Sequence, residues 1–199
     1  MPVPPSTALF GGTFDPVHNT HLAIARAAAD TFHLKKVLFV PAGNPPFKAG
    51  AMASFEDRVA MLELAVAAEG DPRFEVSRVE DPSAHGGSRS YSILTVEALM
   101  RGGTGPLSFI VGADAFADIR KWHRWEELVR RVEFIVVARP GSFCTAPPGA
   151  TVHELPTLSS PVSSSAVRAS LMAHAPSVPV PAPVLRYIRE HGLYRSQNP

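Results

Sequence analysis

The sequence predicts an α/β fold with a doubly wound, mainly parallel sheet and helices on both of its faces. Five short apolar segments, each suited to one buried strand, alternate with helical patterns along the chain. They lie at residues 7–11, 36–40, 74–79, 107–112 and 133–138. Their nearly continuous Val, Ile, Leu and Phe content is typical of parallel strands that are covered on both sides. We therefore expect an open sheet whose strands are separated in sequence by helices.

Two patterns predict the helices that follow the first two strands. Residues 20–32 repeat apolar side chains at helical spacing, and Asn19 or Thr20 is the expected N-cap. Residues 54–69 begin with Ser54, and acidic residues in the first turn complement the helix dipole. A further helix is expected to open at Pro183 and to cover the sheet.

Composition limits the domain organisation and the classes of partner. The 199 residues, 45% of them hydrophobic, are expected to form a single domain over residues 1–199, with residues 161–199 as its C-terminal helical part. The formal charge of +1 argues against a broad basic face for nucleic acid or an anionic membrane. No apolar stretch approaches the ~20 residues that span a bilayer. A single cysteine excludes an internal disulfide, and we expect a cytoplasmic protein whose oligomeric state stays open, a homo-oligomer included.

The strongest local signal is the string GGTFDPVHNTH at residues 11–21. It places a glycine pair at the end of the first strand and two histidines, spaced i and i+3, where the first helix begins. Backbone N–H groups of such a turn and of a helix N-terminus bind anions, and imidazoles donate further hydrogen bonds. The string therefore predicts a phosphate site, whose candidate residues are Gly11, Gly12, Thr13, Phe14, His18 and His21.

Two more segments suit anions at the same edge of the sheet. Lys48 ends the stiff loop PAGNPPFK after the second strand, where its ammonium group would face the same crevice. The string VSSSAVR at residues 162–168 opens a helix with Ser163 and Ser164 and carries Arg168 one turn later. Each segment alone is also explained by a surface lysine or a helix cap. The three segments together predict that the chain binds ATP.

These segments, together with GAD at residues 112–114 and KWHRW at residues 121–125, resemble the bacterial nicotinate-nucleotide adenylyltransferases of the nucleotidylyltransferase superfamily. The resemblance covers nearly the whole chain and implies a Rossmann-like fold with C-terminal helices over the ATP side. It assigns substrate binding to Asn44, Ser92, Asp114 and Trp122, the indole of Trp122 being suited to stack on a pyridine ring. The chain departs from the pattern at Thr20, where glycine is usual, and at Phe47, where histidine is usual.

The implied reaction transfers the adenylyl group of ATP to nicotinate mononucleotide and releases pyrophosphate, as a step of NAD biosynthesis. The resemblance gives catalytic roles to His18, His21, Lys48 and Arg168. Mg²⁺ is the expected cofactor, held mainly by phosphate oxygens and water, and no protein residues are assigned as metal ligands. The expected partners are thus the two small-molecule substrates.

Two alternatives remain open from the sequence. Another adenylyl or cytidylyl transferase of the superfamily, such as a phosphopantetheine adenylyltransferase, would share the first and third segments but would not need GAD and KWHRW. A non-catalytic nucleotide-binding regulatory module is suggested by the departures at Thr20 and Phe47. The sequence also leaves open the choice between the acid and amide mononucleotides, the kinetic order and any loop motion.

Overall fold

The computed structural model describes residues 4–44, 51–84, 89–138, 145–156 and 162–195. In these ranges the strands are β1 (Thr7–Gly12), β2 (Lys36–Pro41), β3 (Phe74–Val76), β4 (Leu107–Gly112), β5 (Val132–Ala138) and β6 (Thr151–Pro156). The α-helices are α1 (Asn19–Thr31), α2 (Phe55–Glu69), α3 (Ser92–Arg101), α4 (Ala113–Ala117), α5 (Trp125–Arg131), α6 (Ser164–Met172) and α7 (Ala182–Glu190). A 3-10 turn at Ile119–Lys121 lies between α4 and α5.

The described strands form a parallel sheet in the order β3-β2-β1-β4-β5-β6. The chain winds outward from β1 in one direction and then returns to β4 on the other side of β1. A crevice opens at the carboxyl ends of two strands where the winding direction reverses in this way. The predicted Rossmann-like sheet is confirmed, and its crevice lies between β1 and β4.

The sequence prediction missed β6 and made β3 too long. Strand β6 lies at the edge of the sheet, and its residues alternate between exposed and buried positions rather than forming a continuous apolar run. Strand β3 forms the other edge and ends at Val76 instead of residue 79. An edge strand is covered less completely than a central one, so its apolar pattern is weaker.

Helices cover both faces of the sheet, as predicted. One apolar layer joins α1, α2, α6 and α7 to the sheet, and it includes Ala25, Leu62, Val167 and Ile188. The other layer joins α3, α4 and α5 to the opposite face, and it includes Ile93, Phe116 and Leu128. The C-terminal helices α6 and α7 therefore belong to the same face as α1.

The helix starts agree with the sequence for α2 and differ for α1. Ser54 caps α2, and its hydroxyl accepts a hydrogen bond from the Asp57 N–H at 3.1 Å. The N-cap of α1 is His18 and not Asn19 or Thr20. His18 is the extended residue whose carbonyl accepts the His21 N–H at 2.9 Å, whereas Asn19 and Thr20 already have helical backbone. Helix α7 begins at Ala182, one residue before the predicted Pro183.

Candidate active site

A cavity of about 650 Å³ lies at the carboxyl ends of β1 and β4. Its walls come from the ends of these strands, from the start of α3 and from the segment that follows α4. They include Gly11, Gly12, Thr13, Ser92, Gly112 and Trp122. The structure thus brings candidate residues from both the phosphate-binding string and the substrate-binding set to one crevice.

The turn after β1 is held in a shape that suits an anion. The Gly12 carbonyl accepts the Ala42 N–H at 2.8 Å, which ties the turn to the end of β2. A Cβ atom on Gly12 would lie 3.0 Å from the Phe14 ring, so this position leaves little room for a side chain. Phe14 itself has a φ of 50°, in the left-handed region. Within the described residues, the N–H groups of Phe14 and Asp15 donate to no other group, and such a turn can receive a phosphate.

The Asp15 carboxylate, which the sequence reasoning did not single out, connects this turn to two distant segments. Asp15 is 3% exposed, and it accepts the N–H groups of Met52 at 2.8 Å and Ala53 at 3.1 Å. The hydroxyl of Tyr194, which is 179 positions away, also donates to it at 2.6 Å. Burial and this hydrogen bond raise the pKa of Tyr194, so the hydroxyl remains a donor at neutral pH. Asp15 therefore acts as an acceptor that fixes the turn.

Helix α6 docks its first turn on the same segment. The Arg168 Nη1 atom donates to the Asp15 carbonyl at 2.6 Å, and Nη2 donates to the Ser165 hydroxyl at 3.2 Å. The Ser164 hydroxyl donates to the Pro16 carbonyl at 3.0 Å. Ser163 is the N-cap of α6, and its hydroxyl accepts the Ala166 N–H at 3.1 Å. The first and third predicted segments are therefore in direct contact.

The two histidines of the string form a stacked pair next to the turn. Their ring centroids are 3.7 Å apart, and the His18 N–H donates to the His21 Nδ1 atom at 3.2 Å. Since Nδ1 of His21 accepts, the proton of its neutral ring lies on Nε2. The Phe14 ring contacts His21 with a centroid distance of 4.9 Å. Neither histidine lines the 650 Å³ cavity, and the Phe14 side chain packs against both Gly12 and His21.

His18 is 3% exposed, and its Nδ1 atom has no hydrogen-bond partner. Burial lowers the pKa of this imidazole to about 4, so the ring is neutral at physiological pH in the free protein. A buried ring atom without a partner, beside a turn with free N–H groups, is typical of a site that is completed by a ligand. His18 is therefore a buried, neutral imidazole at the N-terminus of α1.

The lowered pKa of His18 predicts an acid-sensitive fold. The unfolded chain binds a proton at this residue below about pH 6.5, whereas the native state resists protonation down to about pH 4. The free energy of unfolding should therefore decrease by about 3 kcal/mol through this group as the pH falls between these values. Urea denaturation between pH 7.5 and pH 4 measures it, with His18→Gln as the control expected to show a weaker pH dependence. Identical pH profiles of the two proteins would contradict the assignment.

The cavity wall contains two of the four residues predicted to bind the mononucleotide, Ser92 and Trp122, and lacks the other two, Asn44 and Asp114. The Trp122 indole lines the cavity and meets the Phe109 ring edge-on, with centroids 5.9 Å apart. Ser92, the first residue of α3, also lines it. Asp114 is exposed in the first turn of α4 and does not line this cavity. The rings of Tyr91 and His123, which the sequence reasoning left without a role, lie 4.4 Å apart on the cavity wall.

The loop after β2 reaches the cavity through main-chain contacts. The Asn44 N–H donates to the Ser90 hydroxyl at 2.9 Å, and the Asn44 carbonyl accepts the Ser90 N–H at 2.9 Å. Gly43 lies so close to residue 80 that an added Cβ would be 2.0 Å from the Glu80 carbonyl oxygen. The Glu80 carboxylate accepts the Gly43 N–H at 3.2 Å and the Thr95 hydroxyl at 2.5 Å. Lys48 and Phe47, which follow in this loop, lie outside the described residues.

Two kinds of feature are absent from the described part of the chain. No group of three or more His, Cys, Asp or Glu residues there is arranged to hold a metal ion. No described helix combines the length and the hydropathy that crossing a membrane requires.

Comparison with known proteins identifies the family. Residues 9–170 match the cytidylyltransferase-like family, and the chain belongs to this family of nucleotidyltransferases. Its full-length relatives include proteins described as probable nicotinate-nucleotide adenylyltransferases. One from Solibacter usitatus is 49% identical over 191 residues, which cover 94% of this chain and 98% of that protein. One from Laribacter hongkongensis is 36% identical over 215 residues, which cover 96% and 95%. The chain is therefore a member of the bacterial nicotinate-nucleotide adenylyltransferase branch.

Solved structures agree on the fold. A nicotinic acid mononucleotide adenylyltransferase of Plasmodium falciparum, complexed with NaAD, superposes with a TM-score of 0.74 at 16% identity, covering 94% of this chain and 96% of that chain. A putative nicotinate-nucleotide adenylyltransferase of Vibrio parahaemolyticus superposes with a TM-score of 0.67 at 19% identity, covering 96% of each chain. At these identities the likeness confirms the Rossmann-like architecture.

Proposed function

We propose that this chain transfers the adenylyl group of ATP to nicotinate mononucleotide, giving nicotinate adenine dinucleotide and pyrophosphate. One observation carries the proposal, the arrangement of the turn at residues 13–16. Its Phe14 and Asp15 N–H groups have no acceptor among the described residues, and the turn contacts the first turn of α6. The adjacent cavity is lined by the Trp122 indole. The turn suits the phosphates, and the indole suits an aromatic ring. The relatives named above support the same substrates.

In the proposed reaction an oxygen of the mononucleotide phosphate attacks the α-phosphorus of ATP, and the bond to the β-phosphate oxygen breaks. The attacking phosphate monoester is already ionised near neutral pH, so no protein nucleophile or general base is needed. The protein positions two anions and stabilises the charge that develops on pyrophosphate. This task requires hydrogen-bond donors and cations, which are the groups that surround the turn.

The proposed roles follow from the contacts of each residue. His18 and His21 face the α- and β-phosphates, and a bound phosphate anion would raise the pKa of His18 from its low value in the free protein. Within the described residues Arg168 donates one hydrogen bond from each of Nη1 and Nη2, and Nη1 also lies 3.6 Å from the Asp15 carboxylate. Its remaining N–H groups are assigned to the β- and γ-oxygens. Ser163 caps α6 and so directs the start of this helix at the same oxygens. Lys48 is proposed to bridge the attacking phosphate and ATP.

Mg²⁺ is proposed to enter with ATP and to neutralise part of the triphosphate charge. The Asp15 carboxylate accepts three hydrogen bonds and lies 3.6 Å from the Arg168 Nη1 atom, so its charge is already compensated by the protein. We assign this ion to phosphate oxygens and water, since Mg²⁺ keeps several water ligands in most sites.

Release of pyrophosphate tests the proposal directly. The purified protein is incubated with ATP and Mg²⁺ and with nicotinate mononucleotide, nicotinamide mononucleotide, phosphopantetheine or no acceptor. We expect release with nicotinate mononucleotide and at least about tenfold lower kcat/KM with the amide, a difference of about 1.4 kcal/mol in transition-state binding. Release with phosphopantetheine alone would replace the proposed acceptor. ATP binding without release from any acceptor would support the regulatory alternative.

A further inference from the structure

Arg58, in the first part of α2, is a buried cation outside the predicted site. It is 2% exposed, and its Nη1 atom donates to the Thr13 carbonyl at 2.8 Å. Its guanidinium also lies over the Phe55 ring, 5.5 Å from the ring centroid. Its Nε atom has no hydrogen-bond partner, and no carboxylate of the described residues forms an ion pair with it.

This arrangement is unfavourable for folding. Removing a guanidinium from water is costly unless a paired charge and several hydrogen bonds compensate for the loss of hydration. Burial lowers the pKa of Arg58, and Asp15, Tyr194 and Glu80 offset the effect only from a distance. Apolar packing of the same volume would stabilise the fold at least as well. The contact of Arg58 with the turn after β1 therefore points to a role beyond stability.

The hydrogen bond to Thr13 determines which way one backbone N–H points. The Thr13–Phe14 peptide is trans, so its carbonyl and its N–H point in opposite directions. When Arg58 holds the Thr13 carbonyl, the Phe14 N–H is directed away from α2. Arg168 makes a second bond of this kind, to the Asp15 carbonyl at 2.6 Å. The two arginines thus occupy two carbonyls of the turn, so that neither carbonyl is free to rotate toward an anion at the Phe14 N–H.

We infer that Arg58 is a positioning residue, which orients the Phe14 N–H toward the phosphates of ATP without touching them. A carbonyl that turned toward the phosphates would repel them, whereas an N–H held in place beforehand binds them without a reorganisation cost. The left-handed backbone of Phe14 fits this role, because such residues direct neighbouring N–H groups into one concave site. The inference rests on the proposed function only in taking a nucleoside triphosphate as the ligand.

The test uses the full chain and three variants. Arg58→Met removes the donor at similar volume, and Arg58→Lys keeps a cationic donor. Arg78→Met is the matched control, since Arg78 also lies over the Phe55 ring at 5.5 Å but is partly exposed and pairs with Glu56 and Asp81. Calorimetry measures binding of inorganic tripolyphosphate, which has neither base nor pyridine, and thermal denaturation measures stability. Pyrophosphate release gives the KM for ATP and the KM for the mononucleotide.

For Arg58→Met we expect tripolyphosphate affinity about tenfold or more below wild type, a similar rise in the KM for ATP and an unchanged KM for the mononucleotide. Its melting temperature should equal or exceed that of wild type. Arg58→Lys should fall between the two proteins, and Arg78→Met should bind as wild type does. If Arg58→Met does not fold, Arg58→Lys tests the inference instead, through a raised KM for ATP and an unchanged KM for the mononucleotide.

Unchanged tripolyphosphate binding in Arg58→Met, or an equal loss for both substrates in either variant, would overturn the inference and leave the proposed function intact. A wild-type protein that binds tripolyphosphate but releases no pyrophosphate would refute the proposed reaction. The tripolyphosphate affinities of wild type and Arg58→Met would still test the role of Arg58. A wild-type protein that binds neither tripolyphosphate nor ATP would refute both.

Discussion

Replacement of His18 with alanine is expected to lower kcat by roughly 10²- to 10³-fold, the usual effect of losing one donor to a developing oxyanion. The ring lies at the start of α1, shortly after the turn in sequence, and its Nδ1 atom has no partner in the free protein. Its removal takes away the side chain at the N-cap of α1 and leaves space at a buried position, so the free energy of unfolding should fall by about 1–3 kcal/mol. Steady-state pyrophosphate release and urea denaturation measure the two quantities.

A second buried histidine provides the matched control for this prediction. His153 is 8% exposed on β6, where its Nε2 atom lies 2.7 Å from the Glu133 carboxylate. It does not line the 650 Å³ cavity. His153→Ala should therefore destabilise the fold while the folded fraction keeps its kcat. Turnover of His18→Ala at the wild-type level would exclude His18 from the catalytic groups.

Replacement of Asp15 with alanine is expected to destabilise the fold by about 3–5 kcal/mol, the range for breaking a buried charged network. It would leave the N–H groups of Met52 and Ala53 and the hydroxyl of Tyr194 without their acceptor. The Ala53 N–H and the Tyr194 hydroxyl are buried and lose their hydrogen bonds without regaining water, whereas Met52 is exposed. At roughly 2–4 °C per kcal/mol for a chain of this size, the melting temperature should fall by about 10 °C or more.

The Asp15 prediction has two controls that share its chemistry. Tyr194→Phe removes only one donor and should cost about 1–2 kcal/mol. Asp57 accepts the Tyr187 hydroxyl at 3.0 Å in a more exposed contact between α2 and α7, so Asp57→Ala should cost about 1 kcal/mol. A loss for Asp15→Ala no larger than that for Asp57→Ala would show that the buried carboxylate does not organise this region.

Continuous patterns in the sequence predicted most of the fold because they report local burial. Central strands such as β1 and β4 are covered on both faces, which requires unbroken apolar runs. The edge strand β6 lacked such a run and was missed. The N-cap of α1 was assigned wrongly because Asn19 and Thr20 are good capping residues, and their propensity concealed the extended backbone of His18.

The residues of the candidate site likewise fall into two groups, those that local sequence patterns reveal and those that only distant contacts reveal. The glycine pair, the two histidines and the serines before Arg168 are recognisable in sequence because anion-binding turns and helix starts are local structures. Arg58 and Tyr194 could not be found in this way, because their partners in the turn are 45 and 179 positions away. Asp114 is local to its motif, yet the path of α4 places it outside the cavity wall.

The sequence by itself therefore determined the parallel sheet, the family of the chain and the position of the turn that we propose binds phosphate. The tertiary structure decided which groups hold that turn: the buried Asp15 carboxylate, the Tyr194 hydroxyl and the guanidinium groups of Arg58 and Arg168. The physical reason is that backbone propensity and burial act over a few neighbouring residues. The partners of a buried charge, by contrast, are set only when distant segments pack together and exclude water.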